Sequence, residues 1–429
     1  MKIRFINARI LSLEKDTSLS EGELWVEGNR ITYVGPKLET KEVFDRVVDA
    51  QGNVLMPGFK NAHTHSPMTF LRSYVDDLPL HEWLHQAVFP LEALLQPGDE
   101  YALAKVAFAE YLTSGITADF DMYYNPMEVV KASIDTGFRT FCLGTVTRYK
   151  ESVQEMVASF HKINGLHELV SYRLGFHAEY TSTPEILSEL SKAANTLKTP
   201  IFTHTSETEA EVQGCIDRHG MTPVVYFESL GLFNYGGGGF HCVHLTEKDM
   251  EIYQRRGLYA VTCPSSNTKL ASGIAPIQEF IDKGIHLAIG TDGPASGNCL
   301  DFFREMFLVT GLGKLRSKNA SAVDALEVLK MATVGGAKAM GLTDADVLAK
   351  GKLADIIMID LHQPNMQPLN HIVKNIVYSG SKTNVKMTMI NGKILYENGE
   401  FFLDQSIDDI YLAAQTITDR IKKQAKANS

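Results

Sequence analysis

Apolar and polar positions follow two rhythms along the chain, a two-residue alternation near both ends and short apolar runs separated by helical stretches in the middle. Near the N-terminal end, residues 3–6, 23–27 and 31–35 have the composition and period of strands, with Asn29 at a turn. Near the C-terminal end, residues 355–359 and 385–390 repeat that pattern. There Asn391-Gly392 precedes a further run at 393–396, a hairpin signal because this pair accepts the positive φ angles of a tight turn. The two blocks are expected to close into one small β-sandwich domain, built from residues 1–56 and 345–429 and ending in a helix.

The long middle, residues 57–344, has a different grammar. Short apolar runs near residues 54–57, 116–120, 140–144, 172–176, 200–203, 240–243, 258–262 and 286–290 alternate with helical segments. Some of these helices have legible starts, as in Thr183-Pro184-Glu185, where an N-cap residue precedes proline at the first helical position. Eight strand-then-helix units predict an α/β fold, a (β/α)8 TIM barrel whose functional groups cluster at the C-terminal strand ends. A doubly wound open sheet is the competing architecture. The glycine run 236–239 before the sixth strand reads as a flexible turn.

Composition narrows the function. The 429 residues, 44% hydrophobic and 21% charged, suffice for a large core. A net charge of -10 excludes nucleic acid as the expected partner, because phosphate binding needs a basic face. The one basic run, residues 420–426, reads as a solvated helix end. Five cysteines, at 142, 215, 242, 263 and 299, show no CxxC spacing, so neither disulfides nor a cysteine metal site are expected and a reducing, cytoplasmic setting fits. Charge interrupts the N-terminal segment before a signal core forms, and no apolar run approaches the roughly 20 residues of a membrane span, so no membrane partner is expected.

The chemistry starts at Pro57-Gly58-Phe59-Lys60-Asn61-Ala62-His63-Thr64-His65. His63 and His65 are two positions apart at a strand end, so both imidazoles can share one face and reach one ion. His204, His241 and Asp292 stand at the ends of three other expected strands, which a barrel brings to one rim. Glu207 follows three residues after His204.

These residues, with Thr291-Asp292-Gly293, the run from Cys263 to Gly273 and the tail segment Gly351-Lys352-Leu353-Ala354-Asp355, resemble the amidohydrolase superfamily. Within it the chain is similar to the methylthioadenosine/S-adenosylhomocysteine deaminases, relatives of the chlorohydrolases and guanine deaminases. The resemblance implies that His63, His65, His204 and Asp292 bind one divalent ion, zinc or less often iron. A second ion would need a lysine on the fourth barrel strand, which here reads Tyr172-Arg173-Leu174-Gly175-Phe176-His177. It further implies that His241 and Asp292 orient the attacking water and take its proton, while Glu207 moves a proton to the substrate ring. On the substrate side it implies Glu82 on the ribose hydroxyls, with His177 similarly placed. Arg148 is the nearest candidate cation for a substrate carboxylate, in a stretch that departs from the family pattern, and Phe70, Trp83, Tyr123 and Tyr124 are candidate pocket walls. His244 is left with a structural hydrogen bond. The implied reaction is hydrolytic deamination of a 5'-substituted adenosine, a small-molecule nucleoside. A free purine, pterin or triazine ring is the alternative substrate, and a metal-free scaffold barrel the alternative class. The sequence leaves a homo-oligomer open.

Overall fold

In the computed structural model, which describes residues 1–14, 19–74 and 76–428, the chain starts with five strands. These are β1 (Lys2–Leu11), β2 (Leu19–Glu27), β3 (Arg30–Gly35), β4 (Arg46–Asp49) and β5 (Val54–Pro57). Eight strands interleaved with helices follow: β6 (Phe59–Thr64), β7 (Ile116–Met122), β8 (Thr140–Leu143), β9 (Val170–Gly175), β10 (Ile201–Thr205), β11 (Gly237–His241), β12 (Tyr259–Thr262) and β13 (His286–Ile289). The chain then returns through β14 (Ile356–Ile359), β15 (Val385–Ile390), β16 (Lys393–Glu397) and β17 (Glu400–Phe401) to a final helix, Ile407–Asn428.

Strands β6 to β13 pair in simple chain order, every pair parallel. A doubly wound sheet needs a reversal of strand order, and none occurs. Side-chain and backbone hydrogen bonds close the gap between the last strand and the first. Asn61 on β6 donates to Thr291 Oγ1 at 2.8 Å and accepts from the Thr291 amide at 2.9 Å, while the Asp292 amide donates to His63 O at 3.1 Å. Ala62, Ala118, Phe120, Phe202, Phe240, Val261 and Ala288 fill the interior, so the (β/α)8 barrel is a packed core.

The first barrel strand is displaced from its expected position. Residues 54–57 form β5 of the small domain, and the barrel begins with β6, one residue later. Pro57-Gly58 marks a joint between two strands instead of the end of one. A Cβ on Gly58 would lie 2.1 Å from Thr117 Cγ2, so only glycine permits the close crossing. The glycine run is also different from expectation, since Gly237, Gly238 and Gly239 are inside β11. Added Cβ atoms would approach Ile201 O to 1.9 Å, Tyr259 O to 2.3 Å and Thr205 Cγ2 to 2.2 Å, so the neighbouring strands lie too close for a side chain.

The two terminal blocks meet in a nine-stranded mixed sheet, ordered β17-β16-β15-β14-β5-β1-β2-β3 with β4 also on β1. Strand β5 pairs parallel to β1 and antiparallel to β14, which joins the two ends of the chain. Leu55, Ile356 and Met358 enter a core with Ile3, Phe5 and Met387, while Met56, Ile357 and Ile359 face the barrel's helices. Both faces are buried, which explains why these strands read as unbroken apolar runs. The final helix packs on the barrel helix Asp99–Thr113, with Ile421 buried. Its basic run is therefore partly an anchor: Arg420 pairs with Asp99 and donates to Leu94 O at 3.1 Å. Among the described residues no helix is long and apolar enough to cross a membrane.

Candidate active site

Three barrel strands deliver the four expected metal ligands to one point. His63 is the penultimate residue of β6 with His65 just beyond the strand, His204 is on β10, and Asp292 follows β13. One ligand atom from each lies within 4.8 Å of every other. Side-chain hydrogen bonds leave the right atoms free. His65 Nδ1 sits 2.6 Å from Met122 O and His204 Nδ1 2.7 Å from His177 O, so each ring donates there and turns Nε2 inward. His63, fully buried and stacked on Phe240 at 3.8 Å, has neither ring nitrogen hydrogen-bonded. Asp292 turns Oδ1 to His65 Nε2 at 3.1 Å and His63 Nε2 at 3.5 Å. Its Oδ2 accepts from Ser266 Oγ and Ser296 Oγ, both at 2.6 Å.

This donor set fits a divalent cation. Burial drives the His63 imidazole down to about 3, so it is the neutral base a metal requires. His65 is half-buried, which opposes its charge, yet its hydrogen bond to the Asp292 carboxylate carries it up to about 9. A cation held by the cluster would take the place of that proton. Three imidazoles and a carboxylate suit zinc or iron, and the unpartnered His63 nitrogens are otherwise a costly arrangement.

Beside the cluster lie the two groups expected to move protons. His241 Nε2 is 3.8 Å from Glu207 Oε2, and its Nδ1 is 2.8 Å from Asn267 Oδ1, an acceptor that fixes the proton on Nδ1. Burial raises the Glu207 carboxyl above the usual range, partly offset by His241. Ser206, His241 and Asp292 all adopt left-handed backbone, at φ of 51°, 69° and 55°. Non-glycine residues resist this conformation, and here it turns three strand ends inward.

The metal cluster opens into a cavity of about 60 Å³, lined by Trp83, Glu92, Tyr123, Tyr124, His177 and Glu207 among others. Of the substrate-side expectations, His177, Trp83, Tyr123 and Tyr124 are present. Phe70 packs in a core cluster instead, and His244 makes a structural bond to Ser272 O at 2.7 Å. Glu82 and Arg148 line an adjoining outer compartment of about 1300 Å³. Arg148 is exposed and donates to Tyr180 O. Sequence reasoning missed Glu92, a carboxylate 6% exposed that accepts from Tyr123 Oη at 2.7 Å. Its signal was available, since it is the single charge in the otherwise apolar run from Ala87 to Leu95.

A barrel of this topology with this ligand set defines a class. The chain belongs to the amidohydrolase family, whose model matches residues 54–395. More narrowly, it is 37% identical over 413 residues to the 5-methylthioadenosine/S-adenosylhomocysteine deaminase of Caldanaerobacter subterraneus subsp. tengcongensis, covering 93% of this chain and 94% of that one. It is 37% identical over 416 residues to the protein of the same name from Thermoanaerobacter pseudethanolicus, covering 93% and 95%. An adenosine deaminase structure from Xanthomonas campestris with bound zinc superposes with a TM-score of 0.91, at 31% identity and 98% coverage of both chains. The protein is a hydrolytic deaminase with a divalent-metal site.

Proposed function

We propose that the protein removes the 6-amino group of 5'-substituted adenosines such as 5'-methylthioadenosine and S-adenosylhomocysteine, releasing ammonia and the inosine analogue in the cytoplasm. The observation that carries this reading is a single cavity holding the ligand cluster, Glu207 and a second buried carboxylate, Glu92. His63, His65, His204 and Asp292 hold one ion, zinc or alternatively iron; β9 offers no lysine for a second. When bound, the ion supplies Lewis acidity that makes water nucleophilic near neutral pH.

The chain's own groups then manage the protons. Glu207 delivers one to the ring nitrogen beside the attacked carbon, so that this carbon can become tetrahedral as water adds. Such general-acid help is worth roughly 10²–10⁴-fold. Asp292 and His241 orient the water and accept its first proton, which leaves with the amino group as ammonia, and the second returns to Glu207 as the carbonyl forms. Tyr123 and Tyr124 wall the aromatic ring. Glu92 accepts from the vicinal ribose hydroxyls, a task its position in the cavity suits better than that of Glu82.

Ammonia release from methylthioadenosine, S-adenosylhomocysteine, adenosine and guanine, assayed with zinc-loaded and iron-loaded protein, tests this. Turnover of the first two is expected to exceed that of guanine. Activity on the free base alone would overturn the reading.

A further inference from the structure

Glu207 is held loosely by its own side chain. Ser272 Oγ donates to Oε1 at 3.5 Å, and His241 Nε2 is 3.8 Å from Oε2. Its aim depends on the backbone that carries it, the turn after β10, where Ser206 is left-handed at φ 51°. That backbone is clamped from one side chain. Glu211, only 7% exposed, accepts from the Ser206 amide through Oε1 and from the Glu207 amide through Oε2, both at 2.8 Å.

This clamp departs from an ordinary helix start. Thr208 is the N-cap of the helix Glu209–His219, its hydroxyl accepts from the Glu211 amide, and Glu211 occupies the third helical position. The pattern Thr-x-x-Glu is that of a capping box, in which the acid returns to the amide of the N-cap residue. The helices after Ser152 and Thr246 do this, with Glu155 and Asp249. Glu211 instead reaches beyond Thr208 to the two preceding amides. A buried carboxylate with both oxygens on backbone donors is a strong, directional tether.

We propose that Glu211 is a positioning residue for the reaction, redirected from helix capping to hold the left-handed turn that aims Glu207 into the cavity. This rests on the reading of Glu207 as the proton carrier. A double-mutant cycle on metal-loaded protein, with methylthioadenosine as substrate and single-turnover detection of the weakest variants, tests it. Glu211→Gln retains one acceptor oxygen and presents an NH2 group to the other amide. It should lower kcat about 10-fold or more while KM and bound metal stay within about 2-fold of wild type.

In a Glu207→Gln background the same change should cost less than about 3-fold, because the group being aimed is already disabled. Equal losses in both backgrounds would mean Glu211 serves only the fold, and would overturn the proposal. Should Glu211→Gln not fold, Glu211→Asp, which shortens the reach to one amide, runs through the same cycle. Full activity in Glu207→Gln alone would remove the proton-carrier role itself, a failure visible without touching Glu211.

Discussion

Two buried residues decide most at the scale of single side chains. Glu92 is an acid the sequence does not single out, while the resemblance of the run Leu80 to Leu84 to the family points to Glu82. Only the fold shows which of the two reaches the cavity with the metal cluster. Replacing Glu92 by glutamine should raise KM for methylthioadenosine about 10- to 100-fold, the worth of a hydrogen bond to a charged group, whereas Glu82→Gln should change it less than about 3-fold. Steady-state kinetics on both variants checks this. Lys60 is the second case. It is fully buried, donates to Gly58 O at 2.8 Å and Thr117 Oγ1 at 2.7 Å, and burial lowers its ammonium to about 8 despite nearby Asp355. The unfolded chain keeps its proton up to about 10.5, so between those values it binds more protons than the folded state and stability rises with pH. Against Lys60→Met, wild type should gain on the order of 3 kcal/mol from pH 8 to pH 10.5, measured by denaturant unfolding at several pH values.

At the scale of elements, the ligands were legible because their spacing is short or their strand ends are marked: His63 and His65 by alternation, Asp292 by the glycine after it. The strand that carries the first two was misplaced because β5 and β6 are both buried and apolar, and nothing in composition separates strands of two different cores. The glycines of β11 resembled a turn for the opposite reason. Their meaning is the proximity of β10 and β12, which only the assembled barrel supplies. Another element has dynamic meaning. The segment from Leu80 to Glu92 lines both the inner cavity and the outer compartment, and its middle, Trp83–Val88, is wound as a π-helix just before Pro90, which has no amide hydrogen to give. Because this segment borders both spaces, it is expected to shift when a nucleoside enters. The chain has two tryptophans, Trp25 and Trp83, and Trp25 is on β2 of the small domain. In Trp25→Phe protein the remaining emission should shift on adding methylthioadenosine; an unchanged spectrum at saturation would count against the motion.

For the whole molecule, the barrel and the small sheet are bolted together by charge. Arg139, just before β8, forms a paired hydrogen bond with Asp355, just before β14, at 2.9 and 3.1 Å, and Asp355 also accepts from the Asn391 amide at 2.7 Å. Both partners are buried, and the arginine holds the Asp355 carboxyl below its usual range even though burial opposes this. Asp355→Ala strands a guanidinium inside the protein and should cost about 3–5 kcal/mol in urea unfolding. Replacing both partners with apolar residues should cost far less. The interleaving of β5 between β1 and β14 has a further consequence during synthesis. A ribosome delivers the amino-terminal strands some three hundred residues before their missing neighbour emerges, so a growing polypeptide carries an unsatisfied sheet edge through most of translation. Completion of the small sheet therefore waits until the last fifth of the chain has been made.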